Sequence, residues 1–209
     1  MMSDHVGLYF NRNRGWPWPD DSFGLSPMFG PDGWCLGCGM PLHEQSGSLV
    51  LRRKGLARVE GVWIPNWRFN SICLERSLAD RVAARFDVVL RPVAWHGEPP
   101  GEAAQIVVPT VGESWFDHDE LRTRTIARHG KAGATCIECD RWRWMPLPFE
   151  SLPPLRIDPG LGSADIAASP EWFGDGWNSY QEILIVRELA EFIVAASPRD
   201  FRVQEMSFA

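Results

Sequence analysis

The chain has 209 residues, 44% hydrophobic and 23% charged, enough apolar material for one large domain or two small ones; wholesale disorder and a disulfide-held mini-protein are both excluded. Twenty-one basic against 27 acidic residues leave a net charge of -6, the wrong sign for affinity gained by neutralising phosphates, so no nucleic-acid partner is expected. An acidic surface suits a basic protein partner, although mild acidity is also the ordinary condition of soluble proteins. No run approaches the roughly 20 apolar residues of a membrane span, and the opening Met1-Met2-Ser3-Asp4-His5 lacks a basic and apolar leader. The expectation is a soluble cytoplasmic protein whose five cysteines are thiols or metal ligands.

In chain order, residues 6–10, 48–53, 56–64 and 105–108 carry strand patterns. Residues 11–34 and 146–178, dense in Pro, Gly, Trp, Ser and Asp, read as long loops. A helix is expected over 119–129, capped by Asp117 or Asp119 and stopped at Gly130. Between these elements the sequence repeats: residues 72–86 and 183–197 share five of fifteen positions without gaps, Ile72/Ile183, Arg76/Arg187, Leu78/Leu189, Ala79/Ala190 and Ala84/Ala195. Each copy reads as strand, helix, strand, over 69–74, 75–85 and 88–93 in the first and 181–186, 187–196 and 201–207 in the second. Leu78, Val82 and Phe86 fall four apart on one helix face, as do Leu189 and Ile193, and these faces are expected in the core. Ser197-Pro198 closes the second helix. Short connections favour two parallel strands in one sheet within each copy, and residues 96–101 are the expected seam between halves 1–100 and 101–209.

A Cys-x-x-Cys pair precedes each copy, Cys35/Cys38 and Cys136/Cys139. Zinc prefers four thiolates in a tetrahedron, and each such turn delivers two at the right bite, so two turns brought together complete a closed site. The competing readings are two independent redox or disulfide pairs, or thiols that merely pack. Gly39 supplies the positive φ such a turn uses, and Asp140 is its poorer equivalent. Trp34-Cys35-Leu36-Gly37-Cys38 is similar to a thioredoxin active site, but Gly39 and Pro41 obstruct the helix that such a site opens. Cys73, between Ile72 and Leu74, reads as a small core residue.

No phosphate loop, dinucleotide fingerprint, nucleophile elbow or HExxH occurs, and His118-Asp119-Glu120 reads as a helix start rather than a hydrolytic cluster. In the second long loop, Glu171, Trp172, Asp175 and Trp177 combine carboxylates with large rings, the composition of a surface that anchors a basic partner. The alternative is that Trp172, Phe173 and Trp177 cap the core.

The two cysteine pairs, followed by Asp165, Glu171-Trp172-Phe173-Gly174, the run Glu182-Ile183-Leu184-Ile185-Val186, a helix and a last strand, resemble the double-CxxCG motif family. These are bacterial proteins found beside polymorphic toxins, and some are regarded as immunity proteins; Asp140 stands where the second motif has glycine. The resemblance implies a non-catalytic protein that binds and neutralises a cognate protein toxin, and the net charge of -6 suits a basic one. Together with the residues it gives an expected α+β fold of two related halves, each a CxxC zinc knuckle followed by a strand-helix-strand unit. The halves would be joined by one structural zinc on Cys35, Cys38, Cys136 and Cys139. A zinc-containing adaptor or regulator of another protein is the alternative, and a thiol oxidoreductase the third.

Overall fold

A computed structural model describes residues 4–11, 17–53, 60–68, 70–156 and 159–209. The described residues form a mixed α+β structure of two six-stranded sheets and four α-helices. One sheet has the order β2-β3-β6-β7-β5-β4, from β2 (Trp18–Pro19), β3 (Val50–Arg52), β4 (Val62–Trp63), β5 (Ile72–Glu75), β6 (Val89–Trp95) and β7 (Ala103–Val107). The other has the order β12-β1-β11-β10-β9-β8, from β1 (His5–Phe10), β8 (Gly133–Thr135), β9 (Trp142–Trp144), β10 (Ile166–Asp175), β11 (Asn178–Val186) and β12 (Phe201–Gln204). The helices are α1 (Leu25–Phe29), α2 (Arg76–Ala83), α3 (His118–His129) and α4 (Arg187–Ala196).

Both strand-helix-strand units occur where the sequence places them, each helix following its first strand without a connecting residue. β5 and β6 each pair antiparallel with β7, so they run parallel to one another, as expected, but with β7 between them. β11 and β12 flank β1 in the same way. Each helix therefore crosses two strand spacings, about 9.6 Å, rather than one. The expected seam at 96–101 lies in the connection between β6 and β7, which are neighbours in one sheet. Each sheet thus takes one strand from the other side of residue 100.

One hydrophobic core joins both sheets and both crossover helices: Leu78, Val82, Phe86, Leu189 and Ile193 are all buried in it with Trp63, Ile72, Ile106 and Ile185. Full burial of one such aliphatic side chain is worth about 1.5–3 kcal/mol. The turn that ends α2 meets α4 through Phe86 and Phe192, edge to face at 6.4 Å, and through an Arg85–Glu188 ion pair. Cys73 is fully buried in the same core, and burial pushes its thiol up. β11 alternates across its sheet, sending Ile183 and Ile185 into this core and Leu184 into a second one under α3 with Trp115, Phe116 and Phe173. Helix α3 is capped by Asp117, whose carboxylate accepts from Asp119 N at 3.0 Å and Glu120 N at 2.9 Å, and it ends at left-handed Gly130.

Three expectations are corrected. Residues 166–175 are a strand and not a loop; the register of β10 against β11 shifts between Ala168 and Trp172, and that irregularity absorbs Pro170. The segment 11–34 contains β2, a 3-10 turn at Ser22–Gly24 and α1. The strand over 56–64 is reduced to Val62–Trp63, residues 56–59 of that expectation lying outside the described residues, as does residue 69 of the first unit.

Candidate metal centre

The two Cys-x-x-Cys segments fold by the same backbone bonds. In the first, Cys35 N donates to Met40 O at 2.8 Å and Gly39 N to Cys35 O at 2.8 Å; in the second, Cys136 N donates to Arg141 O at 3.0 Å and Asp140 N to Cys136 O at 2.9 Å. Each turn closes with its fifth residue at positive φ, 72° at Gly39 and 55° at Asp140. Flanking pairing fixes the ends: Trp34 bridges Pro41, and Thr135 pairs with Trp142 at the ends of β8 and β9. No helix starts at Cys35, so the thioredoxin-like arrangement is not formed.

The turns bring all four Sγ atoms within 4.8 Å of one another. Cys35 lies 3.7 Å from Cys136 and Cys38 lies 3.7 Å from Cys139. A tetrahedral zinc with bonds of about 2.3 Å needs edges of about 3.8 Å between its sulfurs, whereas a disulfide needs about 2.05 Å. All five cysteines are free thiols. The donor set therefore fits a metal ion, and with four thiolates on a tetrahedral ion no position would stay open for a substrate.

The surroundings match that use. Burial pushes the Cys35 and Cys38 thiols up, against backbone N–H groups that favour the thiolate, those of Gly37 and Cys38 at Cys35 and that of Met40 at Cys38. The N–H groups of Glu138 and Cys139 do the same for Cys136 and, outweighing the cost of its desolvation, bring it down to about 7. Met40, Leu42 and Trp172 pack around the sulfurs. Arg141 joins the turns by donating to Pro41 O at 2.6 Å and Leu42 O at 3.4 Å. Ser179 Oγ on β11 donates to Cys38 O at 2.8 Å, and Arg143 holds Ser179 and Gly176 O in turn. None of these latches carries a motif, so the sequence did not single them out.

The four residues expected to form a partner surface are not equivalent. Asp175 is exposed at the β10–β11 turn, and Trp177, 44% exposed, rests edge to face on Trp34 at 5.2 Å and Phe23 at 6.0 Å. Trp172 is half-buried against the cysteines. Glu171 is not a surface residue: it is 4% exposed, and its Oε1 accepts from Trp115 N at 2.9 Å, Ser114 Oγ at 2.9 Å and Phe116 N at 3.4 Å. His118 Nε2 lies 3.2 Å from both that oxygen and Ser114 Oγ. A catalytic relay needs the hydroxyl and the carboxylate on different ring nitrogens, so this cluster anchors the chain ahead of α3 and is not a relay. The most exposed apolar residues at the centre are Ile137 (99%) and Leu36 (62%), each directly following the first cysteine of its turn.

The chain matches no protein-family model and no curated protein. No helix among the described residues is long and apolar enough to cross a membrane.

Proposed function

We propose that this is a non-catalytic protein, stapled by one structural zinc on Cys35, Cys38, Cys136 and Cys139, that binds and occludes a cognate bacterial protein toxin. The observation that carries the reading is the cysteine cluster itself: four buried or half-buried thiols at tetrahedral spacing, which hold an ion without offering it a substrate position. Around it, Leu36, Ile137, Trp177 and Phe23 are exposed apolar side chains, with the carboxylates of Glu138, Asp140 and Asp175 beside them. Apolar anchors in an acidic rim suit a basic protein partner, in line with the net charge of -6. The toxin itself rests on the resemblance to the double-CxxCG motif family.

The same reading takes the chain as two related halves, 1–100 and 101–209. Its support is topological: β6-β7-β5-β4 and β12-β1-β11-β10 have the same order and are antiparallel throughout, with a helix joining β5 to β6 and β11 to β12. In that case β1 and β7 are equivalent strands that the halves have exchanged.

The test is survival of cells expressing the toxin encoded beside this gene, with and without this protein, alongside metal analysis of the protein purified without chelator. Protection by the wild type, its loss in Leu36→Asp with Ile137→Asp, and one zinc per chain are the expected results. A wild type that never protects and captures no toxin overturns the immunity reading; metal-free protein overturns the staple.

A further inference from the structure

The pairing of β1 with β11 stops early. His5, Val6 and Gly7 face Val186, Ile185 and Leu184, after which β1 stays with β12 and β11 stays with β10. A fork opens between residues 8–10 and 178–183, and it holds a cavity of about 410 Å³. Because the fork splits the sheet, side chains from both faces line it: Leu8, Ile64 and Ile183 from the side of the main core, Phe149 and Glu182 from the other. Small-molecule sites have volumes of roughly 300–1,000 Å³ and are mostly apolar with a few convergent polar groups.

Two polar features point into this space. Glu182 N–H turns toward β10, donating to Ser169 Oγ, and Val186 N–H donates to Asp165 O on the same side. Strand alternation therefore turns the backbone groups of Ser179, Gln181 and Ile183 toward the fork. The second feature is the Glu182 carboxyl, the only acidic side chain among those lining the cavity. It is half-buried and has no hydrogen-bond or ion-pair partner among the described residues, and desolvation in the cavity pushes it up to about 8. Burial, and then the charge of Glu182, push the neighbouring Tyr180 hydroxyl up as well. Desolvation makes the ionised form of this half-buried carboxyl costly, and a ligand cation beside it relieves that cost.

We propose that the fork between β1 and β11 is a binding site for a ring-bearing apolar molecule with one basic amine, the ammonium paired with Glu182 and the ring packed against Leu8, Ile64, Ile183 and Phe149. The backbone carbonyls that β11 turns toward the fork accept the remaining N–H bonds. At a pH above about 8, where Glu182 is ionised, an anionic molecule of the same shape is rejected by the carboxylate, and a neutral one keeps only the apolar contacts.

The test is calorimetric titration of the full chain at about pH 9, where Glu182 is ionised and a primary amine still protonated, with three probes of one shape: tryptamine, its alcohol counterpart tryptophol, and indole-3-propionate. Tryptamine is expected to bind at least about tenfold tighter than tryptophol, and the propionate weakest. In Glu182→Gln the advantage of tryptamine disappears while tryptophol binds within about twofold of its wild-type affinity, which also shows the cavity intact. Absence of tryptamine binding to the wild type, equal binding of tryptamine and tryptophol, or a preference that survives Glu182→Gln overturns the proposal. If the variant loses tryptophol binding too, the carbon-13 shift of the Glu182 carboxyl in wild type decides: movement on adding tryptamine supports the pairing, and a static signal overturns it.

Discussion

At the first Cys-x-x-Cys turn, Cys38 and Gly39 are sealed beneath the β10–β11 hairpin, with the Trp177 carbonyl 2.7 Å from where a Gly39 Cβ would stand. At the second, Cys139 is half-buried, Asp140 is exposed and Ile137 projects into solvent. The backbone bonds of the two turns are nevertheless the same, atom for atom. Delivery of two sulfurs is therefore a local property of the five-residue turn, while burial is imposed by what each turn packs against. The inner turn has glycine because it must adopt positive φ and also admit a carbonyl; the outer turn needs only the positive φ, which aspartate tolerates.

Removing a ligand is the largest perturbation. Cys38→Ser and Cys139→Ser should each lose the metal, because structural zinc on four thiolates contributes on the order of 10 kcal/mol of folding free energy and three ligands do not retain it in competition with chelator. The comparison predicts that Cys38→Ser is the worse, since its hydroxyl is sealed from water and the Cys139 replacement reaches solvent. Metal content and thermal unfolding of the two variants, side by side, check this. Equal losses in both would mean that burial adds nothing to the inner turn. Next in size, Gly39→Ala should cost about 3 kcal/mol, combining left-handed strain with displacement of Trp177 O, and should appear as a lower denaturation midpoint in holo protein.

How much of this was legible depends on range. The helices α2, α3 and α4 were readable because four-residue spacing, the Asp117 cap and Gly130 act within a few residues of one another. The cysteine pairs were readable because the turn is local. β10 is not legible in the sequence because Ser169-Pro170 and Gly174 break the alternation that marks a strand, and the break is absorbed by a shift against β11 that only pairing reveals. The insertion of β1 between β11 and β12, and of β7 between β5 and β6, joins segments far apart in sequence and leaves no local mark. The residue type of Glu171 marks a surface carboxylate, yet its Oε1 accepts from Trp115 N and Phe116 N, more than fifty residues away.

The link between the two turns should matter less than either turn. Arg141 reaches from the outer turn to Pro41 and Leu42 of the inner one, but it does so at an exposed site where water competes for both carbonyls. Arg141→Ala should therefore cost about 1 kcal/mol, with zinc content unchanged. A loss of metal in this variant would show that the turns need the latch to meet, rather than meeting through the packing of Met40, Leu42 and Trp172.

Asp140→Gly has the smallest expected effect and tests the outer turn most directly. Aspartate at φ 55° carries left-handed strain of about 1 kcal/mol or slightly more, which glycine removes. Glycine in turn loses more backbone freedom on folding, a cost of about 0.5–1 kcal/mol. The balance is a stabilisation between zero and about 1 kcal/mol, provided the Asp140 carboxylate makes no contact that holds the turn. No hydrogen bond to that carboxylate is present among the described residues, and its side chain is exposed. Asp140→Gly should consequently unfold at the same denaturant midpoint as wild type or slightly above it, with the same zinc content. A clear destabilisation would show that the aspartate side chain, and not its backbone alone, supports the second pair of cysteines.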